Sequence, residues 1–173
     1  MNTKGIIVAA FKELLEQKPF EEIIVQDILD AAGVSRATFY RHFRDKYDIM
    51  NTFYLEETSK LIANENDNRK KTETIVRFFL ENRSYFSGLM HVEGTNSFKD
   101  FIAENSRQYY LDIYRQKYGL SQNAQIPREI EMMAQFAGGG FEKVLEEFFV
   151  KDKTASPASI TSTIYRMIPE EFK

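Results

Sequence analysis

The sequence contains no cysteine, no tryptophan and only two histidines, and it has no apolar run long enough to cross a bilayer. Without cysteine there are no disulfides, no thiolate metal sites and no cysteine nucleophile. With His42 and His91 as the only imidazoles, there is no carboxylate and histidine cluster at metal-ligand spacing. Neither a nucleophile elbow nor a phosphate loop surrounds the glycines. The chain therefore reads as a non-enzyme, with no catalytic residue, no metal and no cofactor expected. The apolar stretch 5–11 runs at once into Lys12 and Glu13, which makes it part of an amphipathic helix rather than a signal peptide or a span. A cytoplasmic protein without a membrane partner is expected.

What is present is an ordinary globular composition, 43% hydrophobic and 28% charged over 173 residues, with a heavy load of aromatics. Fifteen Phe and nine Tyr supply apolar area for a core or a pocket. The net charge is −3, and residues 1–50 carry seven Lys and Arg against eight Asp and Glu. The balance reverses in the window 36–46, where Arg36, Arg41, Arg44 and Lys46 face only Asp45. A local basic patch of this kind suits phosphate contact even on an acidic protein.

The apolar periodicity is helical nearly throughout and no alternating run insists on a strand, so the fold class is all-α. Ile7, Phe11 and Leu14 mark a first helix at about 3–17, stopped by Lys18-Pro19. A second spans about 25–32 with Ile28 and the Ala31-Ala32 pair inward, and Gly33 ends it. Ser35 caps a third at about 36–43, and Asp45 opens a fourth that runs to about 64. Residues 64–71 form the best candidate loop. Further helical segments lie near 72–86, 97–118, 127–149 and 157–168, with Pro127 and Pro157 placed as helix starts. The segment 88–96, with Gly88 and Gly94, is a short helix or a loop. The division expected is a domain at 1–50 followed by a larger helical domain at 51–173.

The chemistry concentrates between residues 25 and 49. Two short helices joined by Ala-Gly-Val-Ser cross steeply, because Gly33 permits the reversal and Val34 plugs the corner. With Phe39 and Phe43 inward, the third helix turns Ala37, Thr38 and Arg41 outward, flanked by Tyr40 and His42. A small residue, a hydroxyl, a guanidinium, a phenol and an imidazole suit base edges near the helix start and phosphates along its sides. The string AAGVSRATFYRHFRDKYDI at 31–49 resembles the helix-turn-helix signature of the TetR family, and Phe20, Ile23, Val25 and Ile28 fit as well. The resemblance implies DNA contact by Gln26, Ser35, Arg36, Ala37, Thr38, Tyr40, Arg41, His42 and Lys46. Residues 36–38 would be the base readers, and Tyr40, His42 and Lys46 the phosphate ligands. Ile24 stands where the family usually has a Thr or Ser that caps the second helix, which removes a cap and a phosphate contact; Leu29 replaces a more usual Ala. Arg44 reads as a solvated charge.

Over the larger half the resemblance is one of general plan, a helical effector-binding and dimerisation domain. A glycine cluster followed by an aromatic-rich helix is similar to regulators of the dihydroxyacetone kinase type. Phe141, Val144/Leu145 and Phe148/Phe149 form one apolar stripe and Ile160, Ile164 and Ile168 another. Two such helices from each of two subunits make a four-helix bundle, so Phe141, Leu145, Phe148, Ile160, Ile164 and Ile168 are the expected homodimer interface. Gly138-Gly139-Gly140 marks either a break or a close approach of backbones. Phe79, Phe86, His91, Phe101, Tyr110 and Tyr114 are candidates for lining an effector pocket. The function expected is a repressor on a two-fold DNA operator, released by a small-molecule effector. The alternative keeps the same head and gives the larger half a protein partner to dock.

Overall fold

The computed structural model describes residues 2–92, 97–150, 152 and 154–173, with 149 and 150 by backbone alone. Its elements are the helices α1 (Thr3–Gln17), α2 (Val25–Ala32), α3 (Arg36–His42), α4 (Lys46–Ile62), α5 (Asn68–Glu81), α6 (Arg83–Met90), α7 (Phe98–Lys117), α8 (Arg128–Val150) and α9 (Pro157–Met167). Two 3-10 turns, Phe20–Glu22 and Glu170–Phe172, complete the described residues, which contain no strand. Among them no helix is long and apolar enough to cross a membrane. The all-α expectation holds.

Two of the sequence boundaries move. Helix α5 starts at Asn68, inside the polar stretch expected to be a loop, because Asp67 caps it by accepting from the amides of Arg69 and Lys70. The segment expected as one helix over 72–86 breaks at Asn82, whose φ of −110° and ψ of 32° leave the helical region, and α6 begins directly after it. Gly88 lies inside α6, whereas Gly94 is outside the described residues.

The chain forms two compact units, Met1–Ala63 with Asn82–Phe98, and Asn64–Glu81 with Lys99–Lys173. That partition differs from a cut at residue 50, since α4 and α6 both pack on α1 and belong with the N-terminal helices. The first unit is held by aromatic edges: Phe11 meets Phe20 at 6.1 Å, Phe20 meets Tyr47 at 5.0 Å, and Phe53 meets Tyr85 at 4.9 Å. The Lys12 ammonium lies over the rings of Phe53 and Tyr85, at 4.8 and 5.5 Å, and ties α1 to α4 and α6.

In the second unit α5 packs on α9, and α8 packs on α9. Helix α8 runs unbroken through Gly138-Gly139-Gly140, and only the first of these is sterically required. A Cβ at Gly138 would collide with the Ala103 carbonyl oxygen and come within 2.9 Å of the Arg107 nitrogen, so α7 and α8 touch backbone to backbone there. Added carbons at Gly139 and Gly140 would meet nothing. The C-terminal turn buries Phe172 against Tyr110, ring to ring at 5.3 Å, and Lys117 donates to the Glu170 carbonyl at 2.8 Å.

Candidate nucleic-acid interface

The turn between α2 and α3 is built as its residues require. Gly33 adopts φ 64° and ψ 35°, a left-handed conformation costly for a residue with a side chain. The Val34 amide then reaches back to the Leu29 carbonyl at 3.1 Å and closes the end of α2. Two residues on, Ser35 caps α3: its Oγ accepts from the Thr38 amide at 3.2 Å. Phe39 and Phe43 are buried under α3, their rings 6.1 Å apart, and orient the opposite face to solvent. On α2 the buried residues are Ile28 and Leu29, while Ala31 is exposed and Ala32 half-buried. The expected inward Ala31-Ala32 pair is thus replaced by a stripe of Ile28, Leu29 and Ala32.

The start of α2 lacks the side-chain cap but keeps the reciprocal bond of a capping box. Ile24 has no acceptor in its side chain, and 60% of it is exposed. Its amide is met instead by Asp27, whose Oδ2 accepts it at 2.8 Å and also accepts from Lys18 Nζ at 2.6 Å. The Lys18 bond first, and the Ile24 amide second, hold the Asp27 carboxyl below the usual aspartate value.

Most of the expected DNA-contacting residues are exposed on α2, α3 and the turn between them. Gln26, Ser35, Arg36, Ala37, Tyr40, Arg41 and His42 are exposed, and Thr38 is half-buried. The Thr38 hydroxyl is held between Ser35 Oγ at 2.9 Å and the Arg41 guanidinium at 3.2 Å. Arg36 donates to Gln26 Oε1 at 3.1 Å. Arg44 is open to solvent beside Asp48.

Lys46 is engaged within the protein. Its ammonium donates to the carbonyls of Phe20, Ile23 and Glu21 at 2.6, 2.8 and 3.3 Å, and it sits 4.2 Å over the Phe20 ring. An ammonium has three donors, and all three are engaged in pinning the turn between α1 and α2. Burial draws it below the usual lysine value, with Glu21 and Asp27 pulling the other way. In this structure Lys46 clamps the turn between α1 and α2. Sequence spacing carries no signal for such a role, since the carbonyls lie more than twenty residues upstream.

The other candidate sets fare differently. Phe86 and His91 belong to the first unit, whereas Phe79, Phe101, Tyr110 and Tyr114 belong to the second. Phe86 is fully buried and stacks on Phe98 at 5.4 Å, and Tyr110 is packed on Phe172, so both are core; His91 is exposed. Phe79 is buried as well, while Phe101 and Tyr114 are half-buried. Of the expected interface residues, Leu145, Ile160 and Ile164 are at most 2% exposed within the single chain. Phe141 and Ile168 are also buried, Phe148 is half-buried, and the Phe149 side chain is outside the described residues. The apolar surface of α8 and α9 lies beside them: Phe136 is 70% exposed, Met132 64% and Met167 53%. Phe136 and Met167 border a groove whose floor includes Gly140, Phe141, Ile164 and Ile168.

Comparison with known proteins agrees with this geometry. Residues 6–52 match the family model described as bacterial regulatory proteins, tetR family, and residues 66–170 match one described as a transcriptional regulator C-terminal region. A sequence relative is the HTH-type dhaKLM operon transcriptional activator DhaS of Lactococcus lactis subsp. lactis (strain IL1403), 24% identical over 94 residues. That match takes in 53% of this chain and 50% of the relative, about half the length of each. Among solved structures, a TetR transcriptional regulator from Streptococcus agalactiae 2603V superposes with a TM-score of 0.67 at 21% identity, covering 96% of this chain and 93% of that one. The dihydroxyacetone kinase operon activator DhaS superposes with a TM-score of 0.64 at 20% identity, covering 95% and 93%. The two family models together span most of the chain, and α2, the Gly33 turn and α3 have the geometry of the first: the chain belongs to the TetR family of transcriptional regulators and carries its DNA-binding helix-turn-helix.

Proposed function

We propose that this regulator binds a two-fold DNA operator as a homodimer, α3 of each copy entering the major groove, and that an effector acting on the larger unit changes the spacing of the two heads. The observation that carries this reading is the surface of α3, on which Arg36, Ala37, Tyr40, Arg41 and His42 stand exposed over a buried Phe39 and Phe43. In a dimer of this kind the two heads sit about 34 Å apart, in successive major grooves. The support for a second copy is the exposed face of α8 and α9. Met132, Phe136 and Met167 are large, apolar and open to water, and Gly140 beside them leaves room for a neighbouring backbone. The interface then centres on Phe136 and Met167, with Phe141, Ile164 and Ile168 as its floor and Leu145 and Ile160 as core beneath.

The finer sense of regulation carries two readings. In the first the protein is a repressor that a small molecule releases from DNA. In the second it is an activator, which the name of the Lactococcus relative favours. The effector side divides similarly between a small ligand and a docked protein. Phe86 and Tyr110 are packed against other rings, which favours a docked protein over a ligand in a cavity lined by them.

Fluorescence anisotropy on DNA from around its own gene, over a salt series, together with light scattering, tests the core of the reading. Saturable binding that weakens steeply with salt and a dimeric mass are the expected results. Absence of binding at low salt would sink the DNA reading. A monomeric mass would remove the dimer, and Phe136→Asp is expected to produce one.

A further inference from the structure

Asp30 is an acidic residue on the exposed side of α2, a place where the negative charge of DNA makes an acid unfavourable unless it has a task. Its Oδ1 accepts from Gln26 Nε2 at 2.8 Å, and Gln26 Oε1 in turn accepts from Arg36 Nη2 at 3.1 Å. The polarity of this chain is chemically forced. A carboxylate only accepts, a guanidinium only donates, and an amide has one end of each kind. Asp30 therefore fixes which way the Gln26 amide faces, and the amide oxygen fixes one edge of Arg36.

We propose that Arg36 reads a guanine in the major groove and that Asp30, acting through Gln26, is the positioning residue that makes this reading specific. The proposal rests on the reading that α3 enters the major groove. Arg36 has five N–H donors and the relay uses one, so a pair remains for the N7 and O6 acceptors that guanine alone presents together. Gln26 would by itself be a candidate adenine reader, since a free amide pairs with adenine N6 and N7. Here one N–H of that amide is held by Asp30 and one lone pair of its oxygen by Arg36, so Gln26 is oriented as a relay between them. In water such exposed bonds contribute little; in a groove from which water is excluded they strengthen, and Arg36 arrives already oriented.

The test uses the full chain and duplexes selected by it from a randomised pool, with the strongest one compared against versions changed at single base pairs. Wild type is expected to lose roughly tenfold in affinity when one particular G·C pair becomes A·T. Arg36→Ala should abolish that preference and identify the pair. Asp30→Asn, whose amide can donate as well as accept, lets Gln26 turn over; discrimination at that pair should fall severalfold while the salt slope keeps its value. Asp30→Glu, still acceptor-only, should restore discrimination. If Asp30→Asn tightens binding on all duplexes alike and leaves discrimination intact, Asp30 is only a charge and the relay is overturned. Equal weakening on every duplex with a lowered melting temperature also overturns it, by making Asp30 structural. Failure of wild type to bind any duplex overturns the groove reading itself, a different result from retained discrimination in Asp30→Asn.

Discussion

The two units differ in one exposed face each. In the first, aromatic rings are packed inside and the exposed face of α2 and α3 is polar, with its side chains tied to one another: Asp30 to Gln26 to Arg36, and Arg41 to Thr38 to Ser35. In the second, α8 and α9 leave Met132, Phe136 and Met167 in water. A surface that meets DNA needs oriented donors and acceptors, while one that meets another protein needs apolar area and close approach. The face of α2 and α3 is organised by hydrogen-bond direction and that of α8 and α9 by shape.

The largest effect expected on this contrast comes from Lys46. Lys46→Ala removes the clamp from three carbonyls and should lower stability by about 3 kcal/mol, read as a fall in melting temperature. Were Lys46 mainly a phosphate ligand, the substitution would instead leave melting unchanged and reduce the salt slope of DNA binding by about one unit.

A smaller effect separates the glycines of α8. Gly138→Ala drives a carbon into the backbone of α7 at Ala103 and Arg107 and should destabilise the chain by about 2 kcal/mol. Gly139→Ala meets nothing within the protomer, and its better helix propensity contributes up to about 1 kcal/mol. Circular-dichroism melting of the two variants should therefore move in opposite directions; a rise in both would show that Gly138 is not a contact of necessity.

The smallest effect concerns Asp27. Its carboxyl is held below the ordinary value by Lys18 and the Ile24 amide, so it contributes stability above the unfolded aspartate pKa of about 4. That contribution is lost as pH falls through the lowered folded value. Melting followed from neutral pH down to about 3 should show an acid loss that Asp27→Asn diminishes; an identical acid profile in the variant would remove the assignment.

The helix-turn-helix was legible because its requirements are local. Gly33 for a positive φ, Ser35 for a cap, and Phe39 and Phe43 four residues apart each leave a mark at fixed spacing. Even the Gln26 and Asp30 bond has a readable spacing of four on a helix, although nothing local announces that Arg36 completes it. The larger half was less legible, since an apolar stripe such as Phe141 and Leu145 or Ile160 and Ile164 looks the same whether its own chain or a second one covers it.

By itself, then, the sequence determined the all-α class, the position of the turn, the outward face of α3 and the family, all consequences of helical periodicity and of conformations that few residues adopt. Tertiary structure decided the rest. It turned Lys46 into a clamp across residues far upstream, required Gly138 where α7 meets α8, and placed Leu145 and Ile160 in the core while leaving Phe136 and Met167 in water. Each of these depends on a contact between residues distant in the chain, and such contacts arise only when helices pack.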